Sequence, residues 1–495
     1  MLFTSSTFVF LYLPIVIAGF FLLPAGWRSV AASWLFAASV FFYGYWMPAY
    51  VLLLLGSIVW NYWVGMRIAI AGQRTLNAKR WLIVGVSVNL LVLAYFKYAG
   101  FLVENVNALT GMHWGFGEII LPIGISFFTF TQIAFLADAY QKGVREYAFA
   151  HYGLFVTYFP HLVAGPVLHH AQMMPQFRDA SNYHFNAGNF VGGLAIFTIG
   201  LFKKIVLADG ISPYADAVFN GAETGLTPDT FEAWIGALAY TFQLYFDFSG
   251  YSDMAVGLSW MLNIKLPYNF DSPYRALSIS DFWRRWHMTL SAFLRDYLYI
   301  PLGGNKHGAH RRYANLFVTM LLGGLWHGAA WTFVVWGGLH GMYLAINHAF
   351  RATIARSCPT AEGYRAYRLL CWLCTFLATL VAWVFFRAES FSAAQSILQA
   401  MAHLSESMAP ATDAHPLLWN QGLDPARGIL WCFVLAAMAF LSPNSNRIGE
   451  TLLARTRTSG SFCTFLAGLA CTAMIFLVVA NATRSAASAF IYFNF

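Results

Sequence analysis

Charge is scarce in this 495-residue sequence: Asp, Glu, Lys and Arg make up 10% of it, against about 25% in soluble globular domains. That leaves too little polar surface for a soluble fold. A glycine-rich phosphate loop, a dinucleotide fingerprint and an H-E-x-x-H pair are all missing, which sets aside nucleotide hydrolysis and zinc proteolysis. No Lys or Arg precedes the first apolar stretch, Phe8 to Leu23, and no clear small-residue cleavage signature follows it. Both absences argue against a removable signal peptide, so the stretch is expected to remain as a first membrane span. There is no fixed-period repeat, low-complexity tract or Gly/Ser linker to divide the chain, which therefore reads as one domain over residues 1–495. Cysteines number six (Cys358, Cys371, Cys374, Cys432, Cys463, Cys471), and the C-x-x-C of Cys371 and Cys374 has no partner Cys or His at metal spacing. They read as packing residues.

What the sequence has in quantity is apolar surface, 59% hydrophobic and 18% aromatic residues. Stretches near the ~20 residues needed to cross a hydrocarbon core recur along its length. Spans can be drawn at about 7–24, 29–46, 49–72, 81–103, 119–140, 151–168, 188–207, 231–250, 313–331, 332–350, 368–386, 428–442 and 462–481. The expectation is an all-α, polytopic membrane protein with roughly a dozen transmembrane helices and some re-entrant or interfacial ones. The formal charge of +8 sits mainly in short connections, which suits membrane orientation better than nucleic acid. Arg28 and the group Arg67, Arg74, Lys79 and Arg80 would face the cytoplasm, leaving the N-terminus outside.

From Ile264 to Arg312 the pattern changes to short apolar runs, Pro, Gly and dense charge, here read as a basic, cytoplasm-facing insert (264–312). Ser278-Ile-Ser-Asp281 matches a helix-capping box and predicts a helix running through Asp281 to Leu290. On it Trp283 and His287 would share a face, and Asp281 and Arg285 would pair one turn apart. Lys265, Arg275, Arg284, Arg285, Arg295, Lys306, Arg311 and Arg312 outnumber Asp271, Asp281 and Asp296 around it. Such a patch suits anionic lipid headgroups, and it equally suits the phosphates of a cytosolic donor.

Ionisable side chains at membrane depth are functional candidates by default. His327 lies in Met320-Leu-Leu-Gly-Gly-Leu-Trp-His-Gly-Ala-Ala-Trp331, with no other ionisable residue between Tyr313 and His340. Gly324 and Gly328 flank it in the spacing that lets a second backbone come close. An imidazole there can bond a neighbouring helix or act as a general base on a hydroxyl. His287 could face the same cavity, whereas His340, in Trp336-Gly-Gly-Leu-His-Gly341, fits helix packing better.

Several motifs in order resemble the membrane-bound O-acyltransferase (MBOAT) family. They are Leu121-Pro-Ile-Gly-Ile-Ser-Phe-Phe-Thr-Phe130, Tyr158-Phe-Pro-His-Leu-Val-Ala-Gly-Pro166, Tyr245-Phe-Asp-Phe-Ser-Gly-Tyr-Ser-Asp253 and Asp281-Phe-Trp-Arg-Arg-Trp-His-Met-Thr-Leu-Ser291. Arg295-Asp-Tyr-Leu-Tyr-Ile-Pro-Leu-Gly-Gly304, Gly324-Leu-Trp-His-Gly328, Trp383-Val-Phe-Phe-Arg387 and the C-terminal Phe490-Ile-Tyr-Phe-Asn-Phe495 complete the set. Within the family the chain is most similar to the alginate O-acetyltransferase (AlgI) branch. The resemblance implies a catalytic core over 118–350, a tunnel through the membrane and a catalytic histidine at His327. It places the second polar position at His287, which many eukaryotic members fill with Asn or Asp.

It further implies acetyl-CoA as a cytosolic donor with no permanently bound cofactor, and an exported polysaccharide such as alginate or cellulose as acceptor. Transfer would run through a separate extracytoplasmic acetyltransferase carrying a hydroxyl nucleophile, and the chain would reside in the bacterial inner membrane. Arg284, Arg285, Arg295, Lys306, Arg311 and Arg312 are the expected donor-binding residues, and Trp283, Trp286 and Trp326 the expected tunnel lining. The chemistry fits: a thioester already has a good leaving group, its thiol pKa near 8.5 by analogy with Cys, so transfer needs chiefly a base and a dry site. A D-alanyl transferase of cell-wall polymers and a lipid-linked glycan transporter are the alternatives.

Overall fold

The structure, a computed structural model, describes residues 1–23, 27–115, 117, 119–146, 148–306, 308–353, 364–402, 416–483 and 490–491. Cys358, most of the polar segment 406–421 and the last four residues of the aromatic C-terminus lie outside the described residues. Among those described the chain is helical and has no strand. Among the described residues five helices are long and apolar enough to cross a membrane: Pro48–Ala71, Leu76–Thr110, Ala187–Glu223, Arg365–Arg387 and Gly460–Ala482. The broken pair Pro425–Leu441 and Ser445–Thr458 can make a sixth. The chain is a multi-pass membrane protein.

Its contacts fall into two compact units, one built from segments within residues 1–202, 250–268 and 445–491, the other from segments within 203–249 and 269–444. In the first, Val51–Ala71 packs on Leu76–Thr110, which in turn packs on Ile125–Lys142. Between the first two helices Asn61 and Asn89 exchange side-chain amide bonds of 3.0 and 2.6 Å, both residues being buried. Each Nδ2 also donates to the carbonyl one turn before it, Ser57 O at 2.9 Å and Gly85 O at 2.8 Å, so both carboxamides are bonded across and along the helices. The span drawn at 151–168 is instead the nine-residue helix Phe149–Thr157 followed by turns. Pro160 has no N–H with which to extend the helix, and the chain continues by Leu162 N–H to Tyr158 O and Gly165 N–H to His161 O.

The second unit contains the hairpin Gly308–His327 and Trp331–Ala352, together with Arg365–Arg387, against which the latter packs. Hairpin packing is close at Gly324 and Gly337. A Cβ on Gly324 would collide with the backbone of Phe333 and Gly337, and one on Gly337 with Met320 O and Leu321 Cα. The glycine spacing around His327 thus does admit a second backbone, that of the following helix. Of the cysteines read as packing residues, Cys432 is buried, but Cys374 is exposed on the Arg365–Arg387 helix. It faces outward from an apolar helix and does not pack in the core.

Candidate active site

Ser278 caps a helix as its sequence suggests, its hydroxyl accepting from the Asp281 N–H. That helix is only Ile279–Trp283, and the continuous helix through Leu290 does not form. Asn269 redirects the chain. Its carbonyl accepts from Met288 N–H at 3.0 Å, and its Oδ1 from Thr289 N–H at 3.3 Å and Thr289 Oγ1 at 2.9 Å. Asp271 N–H donates to Arg285 O at 2.9 Å. Backbone groups that would have continued the helix are held from the side, and His287 takes a left-handed conformation (φ 43°, ψ 53°) before a new helix, Met288–Leu294.

His287 is completely buried. Its Nδ1 lies 3.1 Å from Asn269 Oδ1. Because the Thr289 N–H also donates to that atom, it is the amide oxygen, and the His287 proton sits on Nδ1. In the neutral ring the lone pair is then on Nε2. Phe248 meets the imidazole edge to face at 4.8 Å, and the Trp326 ring lies 6.4 Å away.

His327 closes the helix Gly308–His327 and is 3% exposed. Trp326 at 4.8 Å, Trp336 at 5.0 Å and Phe386 at 5.1 Å surround its ring, all edge-on. Trp326 therefore touches both histidines picked out in the sequence. Gly324 and Gly328 do not open the site to a ligand, since the Phe333 backbone and ring occupy the space beside them. Trp286 is 1% exposed and packs on Phe270, Phe282 and Trp383.

Trp283 does not share a face with His287, because the helix ends at Trp283. Its indole N–H donates instead to His340 Nδ1 at 3.2 Å. His340 is fully buried one turn from Trp336, ring centroids 4.8 Å apart, so the Trp336 ring contacts both His327 and His340. Asn269, Trp336 and Phe386 also escaped the sequence reading. The i, i+4 spacing of Trp336 and His340 was the signal available for the cluster.

The basic residues divide into two groups. Arg285 is held by Asp281 at 3.0 Å and Asp271 at 3.7 Å, and Arg295 by Asp296 at 2.7 Å. Arg312 stacks over Tyr313, its guanidinium carbon 4.9 Å from the ring centre. Arg284, Lys306 and Arg311 are exposed. Arg284 lines a cavity of about 440 Å³ with Ser278, Asn347, Arg351, Tyr367 and Arg368. Arg351 and Arg368 are cations that the sequence did not single out.

The sequence profile described as the membrane-bound O-acyltransferase family matches residues 45–391. The chain is 44% identical over 432 residues to a peptidoglycan O-acetyltransferase of Helicobacter pylori, covering 82% of this chain and 80% of that protein. It is 44% identical over 409 residues to a probable alginate O-acetylase AlgI of Azotobacter vinelandii, covering 81% and 78%. With a teichoic acid D-alanyltransferase of Bacillus subtilis it shares 29% identity over 245 residues, 47% of this chain.

Proposed function

Since the chain belongs to the membrane-bound O-acyltransferase family and is an acyltransferase, we propose that it moves acetyl groups from cytosolic acetyl-CoA to hydroxyls of an exported polysaccharide. The observation that carries this reading is an imidazole, His327, buried in an aromatic cage of Trp326, Trp336 and Phe386. His327 takes the proton of the attacking hydroxyl as the thioester carbonyl is attacked, and the dry cage keeps hydrolysis from competing. His287, oriented by Asn269, supports the same centre across Trp326. Trp283, Trp286 and Trp326 line the acyl path. Arg284, Arg285, Arg295, Lys306, Arg311 and Arg312 make up the basic surface that meets the donor phosphates, with Arg284, Lys306 and Arg311 its members outside the ion pairs and ring contact described above.

The acceptor is a polymer of the kind named for the full-length relatives, a peptidoglycan or an alginate-type polysaccharide. A separate extracytoplasmic acetyltransferase with a hydroxyl nucleophile hands the acetyl group on, and the chain works in the inner membrane. A D-alanyl donor is the weaker reading, because similarity to the teichoic acid enzymes covers less than half of the chain.

The test supplies labelled acetyl-CoA to membranes containing the chain at matched expression. His327→Ala should lower acetyl transfer about 10²–10⁴-fold, the usual contribution of a positioned base, while donor binding persists. Near-normal transfer by this variant rejects His327 as the base.

A further inference from the structure

Tryptophan can only donate a hydrogen bond, so the Trp283 indole N–H fixes which nitrogen of His340 is the acceptor. Nδ1 takes that bond and the proton of the neutral ring must reside on Nε2. This is the opposite tautomer to His287, whose Nδ1 faces the Asn269 oxygen. His340 Nε2–H is fully buried and has no hydrogen-bond partner among the described residues. The Trp336 indole N–H, one turn earlier on the same helix face, is in the same condition. A buried donor without an acceptor costs about 1–3 kcal/mol, and these two lie one turn apart on the same helix. A carbonyl oxygen, with two lone pairs, suits two N–H donors.

We propose that His340 Nε2–H and Trp336 Nε1–H bind the carbonyl oxygen of the acyl thioester and stabilise the oxyanion formed on it, with Trp283 as the positioning residue that holds His340 in the donating tautomer. The inference rests on the thioester reading above. The attacking hydroxyl oxygen forms a bond to the carbonyl carbon, its proton passes to the His327 imidazole, and the carbonyl π pair moves onto oxygen. Collapse restores C=O and breaks C–S, and the thiolate leaves with the proton held by His327. His340 keeps its own proton throughout. The Trp336 ring contacts both imidazoles, so base and oxyanion donors belong to one aromatic cluster.

Two measurements on the full-length protein in membranes or detergent test this. His340→Leu should lower kcat about 10²–10³-fold, the usual loss on removing one such donor, with little change in the KM for acetyl-CoA. His340→Gln, which retains an N–H, should recover at least a tenfold share of that loss and leave the pH profile unaltered. Trp283→Phe should lower kcat less than His340→Leu does. A His340→Leu kcat near wild type, or a Gln variant as inactive as Leu, overturns the proposal.

The second measurement is independent of turnover. The infrared C=O band of a non-hydrolysable, ¹³C-labelled ketone analogue of acetyl-CoA should move to lower frequency on binding, and return toward its free position in His340→Leu. An analogue that binds with an unshifted carbonyl rejects the oxyanion site but leaves the donor reading intact. An analogue that does not bind at all rejects both.

Discussion

Lys204 Nζ lies 2.6 Å from Asp247 Oδ1, with each side chain 2% exposed, and Asp209 Oδ1 is a further 2.8 Å contact of the same ammonium. One buried cation is thus held by two carboxylates where the apolar run of residues 188–207 would suggest an uninterrupted span. Removing the shared ammonium strands both carboxylates, at a cost of about 3–5 kcal/mol. Lys204→Met should therefore lower the melting temperature and yield of purified protein sharply. The triple variant Lys204→Met, Asp209→Asn, Asp247→Asn should regain much of that loss. Thermal melts in detergent check it, and a triple variant no better than the single would show that the cluster has another duty.

The two classes of arginine predict different phenotypes. Neutralising Arg284, Lys306 and Arg311 together should weaken acetyl-CoA binding, more so at low salt than at high, with stability within about 0.5 kcal/mol of the parent. Arg285→Gln should show mainly a folding defect, because Asp281 and Asp271 lose their shared partner. Titrating acetyl-CoA into each variant at two ionic strengths separates the outcomes. Equal affinity for the triple variant and the parent would return these cations to lipid headgroups.

In the loop between Ile125–Lys142 and Phe149–Thr157, burial pushes the Glu146 carboxyl up. The His170 ring, the Ala148 N–H and the Arg178 guanidinium 2.5 Å away outweigh that and hold it below its ordinary range. A depressed carboxylate stabilises the fold fully above its unfolded pKa and loses that contribution as pH falls through the folded one. The protein should lose stability progressively below the ordinary value of 4.5, and Glu146→Gln should flatten that part of the curve while lowering stability near neutrality. Detergent melts between pH 3.5 and 7, on the order of half-unit steps, resolve the two slopes.

Local signals were legible in the sequence. The Ser278 cap and the Asp281–Arg285 pair both form, because their partners lie three and four residues away. The break after Trp283 was not legible, since its cause is Asn269, a residue that looks ordinary in sequence and acts across 18 positions. His340 read as a packing residue for the same reason: the indole that fixes its tautomer is 57 positions distant. Lys204 passed unnoticed because a single charge inside a long apolar run looks like an interruption until its two carboxylates are in place. The short helix Phe149–Thr157 was drawn twice its length because hydropathy continues past Pro160 while hydrogen bonding does not.

The left-handed backbone at His287 bears on which residue types evolution can try there. At φ 43° and ψ 53° a Cβ is penalised in nearly every residue. Glycine escapes the penalty, and Asn, Asp and His bear it far better than β-branched or bulky side chains. Resemblance to the family predicted that some members carry Asn or Asp at this position, and those are the residues a left-handed corner admits. In this chain the second polar position is thus subject to a conformational filter as well as a chemical one. A substitution library at residue 287 would be sieved first by the Ramachandran map and only afterwards by acyl transfer.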